Sequence, residues 1–314
     1  MDAKSIFLNQ SNRLRSGWRL TIFLLAFIIF GGLAGAVVQQ ILSRLQIDSQ
    51  PGSVLYLAAN GLVSFTIAVL LGWLCGKFLE NLPFRALGAW FTKNWFKDLF
   101  FGLLLGAFTL SLAVLAAMAF GGLSFQTNQT YGMSAILLTL GSSFLIFAAA
   151  AAAEEAFFRG YILQTFARAN LAWLAIILTS VFFATVHLNN PNSDYISSIN
   201  TALAGIWFGA AYLKTRNLWL PFGIHLAWNW MQGAFFGIEV SGIKEVTTAP
   251  LLQEVDSGPA WLTGEQYGIE GGIACTIALL ASIALIYFLP FLKPTEEMLA
   301  LTSEEIPRNK KTMA

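Results

Sequence analysis

The sequence predicts an all-α, polytopic integral membrane protein with about eight transmembrane helices. Of its 314 residues, 56% are hydrophobic and only 11% are charged, whereas soluble globular proteins carry about 25% charged residues. Apolar segments long enough to cross a bilayer, about 20 residues each, recur along the whole chain. The formal net charge of +1 and the placement of the charges give no indication of nucleic-acid binding.

Eight apolar segments are candidates for these helices, and Glu154, Glu155 and Arg159 are the only charged residues within them. The first segment is too long for the apolar core of a signal peptide, so we expect it to be a retained anchor. The segments are residues 20–43, 53–76, 99–120, 134–165, 170–188, 197–213, 218–238 and 271–292.

The distribution of lysine and arginine predicts the orientation, because cytoplasmic loops are enriched in both residues. With eight spans, the cations outside the spans fall on the side of the two termini, except Arg44 and Lys244. Both termini are therefore predicted to be cytoplasmic. The cations on that side are Lys4, Arg13, Arg15, Arg19, Lys77, Arg85, Lys93, Lys97, Arg168, Lys214, Arg216, Lys293, Arg308, Lys310 and Lys311.

The spans also divide the chain into four parts. Three N-terminal helices with a cytoplasmic loop occupy residues 1–133, and a central core of four helices occupies residues 134–236. An acidic loop at residues 237–270 is predicted to be extracytoplasmic, because it follows the seventh span. The last helix and a cytoplasmic tail form residues 271–314.

Two adjacent carboxylates interrupt the fourth segment, in the stretch AAAAAAEEAFFRG from Ala148 to Gly160. A carboxylate at membrane depth costs a few kcal/mol. On a helix, Glu155 and Arg159 share a face and can form an ion pair. Glu154 points about 100° away and has no local partner. The alanines allow a neighbouring helix to approach closely, which indicates that the glutamates face protein rather than lipid.

The two histidines of the chain also lie in apolar segments. His187 stands four residues after Phe183, and His225 stands four residues before Asn229, so the members of each pair share one helical face. Glu154 and His187 are both roughly 25 Å from the turn between the fourth and fifth segments, which predicts that they are level. His225 and Asn229 in the seventh segment match this level less well. We expect a tilt of that helix, or a break near Pro221, to compensate.

This set of polar residues suits the hydrolysis of a peptide bond without a covalent nucleophile. A carboxylate such as Glu154, level with the imidazole of His187, can take a proton from water as a general base. The imidazole of His225 and the carboxamide of Asn229 can stabilise an oxyanion. No serine or cysteine stands at motif spacing to a histidine, and neither an HExxH motif nor a P-loop occurs in the sequence.

Three ordered motifs resemble those of a known family. EEAFFR from Glu154 resembles EExxxR, FATVH from Phe183 resembles FxxxH, and HLAWN from His225 resembles HxxxN. The family is the CAAX prenyl protease type II and bacteriocin-processing (CPBP or ABI) family of intramembrane glutamic endopeptidases. The resemblance covers about residues 134–236, and the other segments match only in being hydrophobic.

The resemblance implies a role for each motif residue. Glu154 would be the general base, with His187 helping to orient and activate the water, and His225 and Asn229 would stabilise the oxyanion. It implies a membrane-bound protein or peptide substrate in the lipid bilayer, with a prenylated CAAX C-terminus as one option. The low charge and plain loops fit a bacterial inner membrane. The supporting residues would be Glu155 and Arg159, which form an ion pair, and Phe183.

Each of these residues also has a structural interpretation that the sequence leaves open. A structural ion pair, an interhelical histidine and a packed phenylalanine stabilise membrane proteins without any catalytic role. These interpretations apply to Glu155 with Arg159, to His187, to His225 with Asn229, to Phe183 and to Glu154.

Other functions are open as well. No cofactor is expected, but Glu154, His187 and His225 could supply the three protein ligands of a catalytic zinc ion. Intramembrane glutamate, histidine and arginine also occur in proton-coupled transporters, although no inverted repeat is evident in the sequence. A membrane scaffold or bacteriocin-immunity protein of the same fold would need no hydrolysis.

Overall fold

The computed structural model describes residues 6–47 and 53–303. Four of the cations that predicted the orientation, Lys4, Arg308, Lys310 and Lys311, lie outside these residues. Each of the eight apolar segments coincides with a helix. The helices are α1 (Ser16–Arg44), α2 (Val54–Glu80), α3 (Trp95–Ala119), α4 (Met133–Arg168), α5 (Ala172–His187), α6 (Tyr195–Thr215), α7 (Trp219–Trp230), α8 (Ile273–Phe288) and the short α9 (Glu296–Thr302).

Five of these helices, α1, α2, α3, α4 and α6, are long and apolar enough to cross a membrane. Helices α5 and α8 are apolar but have only 16 residues each, which is about 24 Å of helix. Helix α7 continues into a π-helical turn, Met231–Phe235. The chain is therefore a polytopic integral membrane protein. That all eight helices cross the bilayer, with both termini in the cytoplasm, stays a prediction.

The structure adds a small sheet that the all-α prediction missed. Strands β1 (Leu123–Thr127) and β2 (Leu252–Asp256) pair in antiparallel register. β1 follows α3, and β2 lies in the acidic loop between α7 and α8. Two strands of five residues each, far apart in sequence, leave too short a pattern of alternation for the sequence to reveal.

Close packing of α3 against α7 positions the helix that carries His225. A Cβ atom added at Gly102 would lie 2.5 Å from the backbone oxygen of Leu220, and one added at Gly223 would lie 2.6 Å from that of Leu99. Small residues at these positions let the two backbones approach each other, as is common between helices in membranes. A larger side chain at either glycine would have to displace a helix.

Of the two expected ways to bring His225 level, a tilt or a helix break near Pro221, the break is absent. Pro221 is buried in the first turn of α7, where its missing N–H removes no intrahelical hydrogen bond. Helix α7 begins beside the C-terminal part of α4, because Leu218 packs against Gly160. His225 is roughly 10 Å beyond Leu218, and Glu155 is roughly 8 Å from Gly160 in the same direction. The two side chains are therefore level without a break.

A buried ion cluster joins α1, α2 and α4. Glu80 accepts a hydrogen bond from Nη1 of Arg19 at 2.8 Å, and two from Nε and Nη2 of Arg168 at 3.0 and 2.8 Å. All three residues are buried. The sequence analysis counted both arginines among the charges outside the apolar segments, but the structure encloses them between helices. Opposite charges and the pairing of both Glu80 oxygens make this burial tolerable.

Candidate active site

Three helices bring the predicted polar residues to one cavity of about 350 Å³. Helix α4 contributes Glu154, α5 contributes His187, and α7 contributes His225 and Asn229. Part of the wall comes from α6, which contributes Phe208 among other residues. Residues that are distant in the sequence thus meet because helices from different parts of the chain pack around one space.

Glu155 is the centre of a buried hydrogen-bond network. Its Oε1 accepts a hydrogen bond from Nη1 of Arg159 at 3.0 Å and lies 3.0 Å from Nδ1 of His225. Arg159 also donates from Nη2 to the backbone oxygen of Gly205 on α6, at 3.1 Å. The side chains of Glu155 and Arg159 are almost fully buried. The i,i+4 ion pair therefore connects α4 to both α6 and α7.

Three phenylalanine rings surround the guanidinium of Arg159. Its Cζ lies 5.1 Å from the ring centroids of Phe183 and Phe208 and 5.5 Å from that of Phe158. Attraction between a cation and such rings, about 0.5–2 kcal/mol each, helps to stabilise a charge that is shielded from water. The ring of Phe208 also stacks on His225, with centroids 4.5 Å apart and an interplanar angle of 17°.

The sequence analysis missed Phe158 and Phe208. The chain has 27 phenylalanines, and an uncharged aromatic residue in an apolar helix carries no signal that separates a site from a packed core. Phe183 was named because it belongs to a motif. In the structure it is buried, and it contacts Arg159, His187 and Phe158.

Glu154 is far less enclosed than Glu155. Its side chain is 33% exposed, against 1% for Glu155. Its Oε2 lies 3.8 Å from Nε2 of His225, which is beyond hydrogen-bond distance. Within the described residues this oxygen has no hydrogen-bond partner. Glu154 also lines a second, almost wholly apolar groove of about 330 Å³ between α1, α2, α4 and α5.

A backbone carbonyl and an aromatic ring hold His187 in place. Nδ1 of His187 lies 2.7 Å from the backbone oxygen of Phe183, and the two ring centroids are 4.6 Å apart. A carbonyl oxygen can only accept, so Nδ1 carries the proton, and Nε2 of the neutral ring is left as an acceptor. The four-residue spacing of Phe183 and His187 thus selects one tautomer of the imidazole.

A hydrogen bond to Glu155 orients the ring of His225 in the same way. An ionised carboxylate only accepts, so Nδ1 of His225 donates to Glu155. Nε2 can then donate a second hydrogen bond when the ring carries both protons. Asn229, one turn farther along α7, lines the same cavity and is partly exposed.

Glu154, His187 and His225 do not form a three-ligand cluster in this arrangement. No group of three His, Cys, Asp or Glu side chains that could hold a metal ion occurs within residues 6–47 and 53–303. The Nδ1 atoms of both histidines are already engaged by protein oxygens. Only Nε2 of each ring is left to bind another group.

The loop between α7 and α8 forms another wall of the cavity, which the sequence analysis did not assign to the site. Glu270 accepts hydrogen bonds from Nε1 of Trp228 at 3.0 Å and from N and Oγ of Ser241 at 2.6 and 2.8 Å. Its backbone oxygen accepts from Nδ2 of Asn200 at 2.8 Å. Glu270 thus ties this loop to α6 and α7, and a carboxylate in an acidic loop gives no sequence signal for such a role.

Comparison with known proteins identifies the middle of the chain. Residues 136–231 match the sequence model of the family "Type II CAAX prenyl endopeptidase Rce1-like". This segment is therefore similar to the Rce1-like family. The uncharacterized protein YyaK of Bacillus subtilis (strain 168) is 26% identical over 154 residues, which are 48% of each chain. The chain therefore matches about half the length of this relative.

The Rce1-like segment contains the motif residues of all three helices, but it does not contain the whole cavity. It begins within α4 and ends just after α7. Ser241 and Glu270, which line the cavity, lie beyond it. The family match therefore agrees with the motif resemblance, while the loop wall of the cavity is a feature that the match does not cover.

Proposed function

We propose that the protein is an intramembrane endopeptidase that hydrolyses a peptide bond of a membrane-associated substrate, using a water molecule activated by Glu154. The contrast between two adjacent glutamates carries the proposal. Glu155 is enclosed in an ion pair, whereas Glu154 is one third exposed and shares a cavity with both histidines. The Rce1-like segment supports peptide-bond hydrolysis as the chemistry.

Glu154 is the general base of the proposed reaction. It takes a proton from water as the water oxygen attacks the carbonyl carbon of the scissile bond. His187 accepts a hydrogen bond from this water through Nε2, because its Nδ1 is held by Phe183. Glu154 then returns the proton to the leaving amine nitrogen, which yields a new carboxyl terminus and a new amino terminus.

His225 and Asn229 stabilise the oxyanion that forms on the carbonyl oxygen. The hydrogen bond to Glu155 fixes the ring of His225, and its Nε2–H donates to the oxyanion when the ring is an imidazolium. The amide of Asn229 is a second donor on the same helical face. Removing one such donor typically costs about 10²–10³-fold in turnover.

Glu155, Arg159 and Phe183 act as positioning residues. The ion pair orients His225 and keeps α4 in register with α6, and Phe183 contacts both Arg159 and His187. None of the three needs to touch the substrate in this proposal. Their loss is expected to disturb the geometry of the groups that do.

The apolar groove beside Glu154 suits the hydrophobic part of a membrane substrate. Its lining includes Phe27, Phe157 and Phe182. An apolar side chain, a transmembrane segment or the lipid of a prenylated CAAX-type C-terminus would bury its surface there, at about 25 cal/mol per Å². We expect no nucleic-acid partner, and we propose a bacterial inner membrane as the location.

Peptide cleavage by the purified protein tests the proposal. Fluorescence-quenched peptides with and without a prenyl group are incubated with the wild type, Glu154→Gln and His187→Ala, and thermal melts show that the variants fold. Glu245→Gln, in an exposed part of the loop, is the matched control. We expect cleavage by the wild type and the control only. A folded Glu154→Gln variant with wild-type turnover would show that Glu154 is not the base.

Two further measurements separate the alternatives. We expect turnover to survive a chelator, and loss of turnover that zinc restores would establish a metal-dependent mechanism. If the wild type cleaves no peptide but Glu154→Gln keeps its cellular function, the protein is a scaffold or bacteriocin-immunity protein. Proton flux across proteoliposomes that needs Glu154 would indicate a transporter.

A further inference from the structure

One end of the helix bundle carries most of the cations of the chain, and we call this end the basic face. Its parts contact one another: Lys97 donates to the backbone oxygen of Phe291 at 2.9 Å, Lys214 donates to that of Tyr287 at 2.7 Å, and Arg85 pairs with Glu297 at 2.9 Å. Its described cations are Arg13, Arg15, Arg19, Lys77, Arg85, Lys93, Lys97, Arg168, Lys214, Arg216 and Lys293.

The opposite end, which we call the loop face, is acidic. Within the described residues its cations are Arg44 and Lys244, and Lys244 is paired with Glu239. Its carboxylates are Asp194, Glu239, Glu245, Glu254, Asp256, Glu265 and Glu270. The difference between the two faces persists when the buried Arg19 and Arg168 are left out. The positive-inside rule predicts that the basic face is the cytoplasmic one.

The cavity extends from the middle of the bundle towards the loop face. Glu154 lies roughly 21 Å along α4 from Arg168 at the basic end, which is about two thirds of the way across a hydrocarbon core about 30 Å thick. The other end of the cavity is lined by Asn190, Ser241 and Glu270 in the connections of the loop face. None of the lining residues in the described chain belongs to a connection of the basic face.

Packed side chains separate Glu154 from the basic face. The Glu155–Arg159 ion pair, Phe158 and Tyr161 follow Glu154 along α4, and all of them are buried. Beyond them, Arg168 is bound to Glu80. A peptide therefore has no open path to Glu154 from this direction, whereas the loop face offers a cavity with polar walls.

We propose, on the basis of the endopeptidase activity proposed above, that the substrate is cut from the extracytoplasmic side. Its scissile bond lies in an extracytoplasmic, membrane-adjacent segment of an anchored or inserting peptide, and not in a cytosolic C-terminus. The peptide enters the cavity at its loop-face end, which is lined by Asn190, Ser241 and Glu270. Hydrolysis then releases a fragment on the outer side of the membrane.

The orientation is tested by cysteine labelling of the full chain in bacterial spheroplasts. The native cysteines, Cys75 and Cys275, are buried and free and are replaced by alanine. Single cysteines are then introduced as Lys244→Cys on the loop face and Lys93→Cys on the basic face. A membrane-impermeant maleimide should label the first in sealed spheroplasts and the second only after permeabilisation. The reverse pattern would overturn the proposal.

The side of cleavage is tested with the wild type in sealed membrane vesicles of both orientations. A soluble, impermeant quenched peptide is added outside, and Glu154→Gln vesicles give the background. We expect turnover in right-side-out vesicles and its loss in inverted vesicles until detergent opens them. Turnover confined to sealed inverted vesicles would overturn the proposal. No turnover even in detergent would overturn the endopeptidase activity itself, while the labelling result would still decide the orientation.

Discussion

Glu80 and Glu155 are both buried between helices and both pair with arginine, but their surroundings differ. Glu80 uses both oxygens, which accept three hydrogen bonds from Arg19 and Arg168. Glu155 uses one oxygen for Arg159 and His225, and the residue before it in the chain is the partly exposed Glu154.

The space beside each cluster differs as well. Arg168 lines a cavity of about 10 Å³, room for one water molecule at most, and a surface pocket of about 890 Å³, but Glu80 lines neither. Glu154, in contrast, lines a cavity of about 350 Å³ together with both histidines. A carboxylate that has both oxygens paired and lines neither of these spaces points to a structural role. An ion pair that holds a histidine next to an exposed carboxylate and a cavity points to chemistry.

The strongest test of this contrast is Glu154→Gln. We expect turnover to fall by about 10²–10⁴-fold, because a carboxamide cannot take a proton from water. The melting temperature should stay close to that of the wild type, since the side chain is one third exposed. Steady-state cleavage and thermal melts in detergent measure both quantities. If turnover and melting temperature both fell strongly, Glu154 would have a structural role, like Glu80.

A matched pair of arginine variants separates structure from activity. Arg168→Leu leaves Glu80 with Arg19 as its arginine partner, and Arg159→Leu leaves the buried Glu155 without its arginine. Breaking a buried ion pair typically costs about 3–5 kcal/mol of stability. Turnover per folded molecule should be retained in Arg168→Leu and lost in Arg159→Leu, because only Arg159 holds the network that orients His225. Active-site titration of the folded fraction provides the comparison. Equal turnover in the two variants would remove the distinction between the clusters.

Glu270→Gln tests whether the loop wall belongs to the site. The variant keeps one acceptor oxygen, whereas Glu270 accepts from Trp228 with one oxygen and from Ser241 with the other. It also loses the charge, and neutral hydrogen bonds are roughly half as strong as charge-assisted ones. We expect a loss of about 1 kcal/mol of stability and a rise in KM that exceeds the fall in kcat. Glu265→Gln, exposed in the same loop, is the control. An unchanged KM would exclude the loop from substrate binding.

The smallest expected effect on stability comes from Glu254, a carboxylate in strand β2 that lies outside both clusters. Burial and the charges of Glu239 and Asp256 raise the pKa of Glu254 from 4.5 to about 8. Between these values the folded protein binds the proton that the unfolded chain has lost, so stability falls as pH rises through this window and levels off above it. Melting temperatures are measured at intervals of pH across this window. The melting temperature of Glu254→Gln should fall less with rising pH than that of the wild type. Parallel curves for the two proteins would contradict the raised pKa.

The sequence by itself determined the local features. Long apolar segments predict helices because a membrane span must satisfy its own backbone, and the four-residue spacing of Glu155 and Arg159 predicts their ion pair because helical geometry is regular. The same geometry predicts that Glu154 is left out of that pair. The motifs also named the histidines that reach the cavity. Each of these inferences spans a few turns of helix, where local geometry suffices.

Only the tertiary structure decided which distant groups meet. The joining of Arg19 to Glu80 and the antiparallel pairing of β1 with β2 depend on how whole helices and loops pack. The same holds for the enclosure of the cavity by Glu270 and for the position of α7 beside Gly160. A buried charge next to a helix end looks the same in sequence as a solvated one, because its partner is set by three-dimensional packing and not by spacing along the chain.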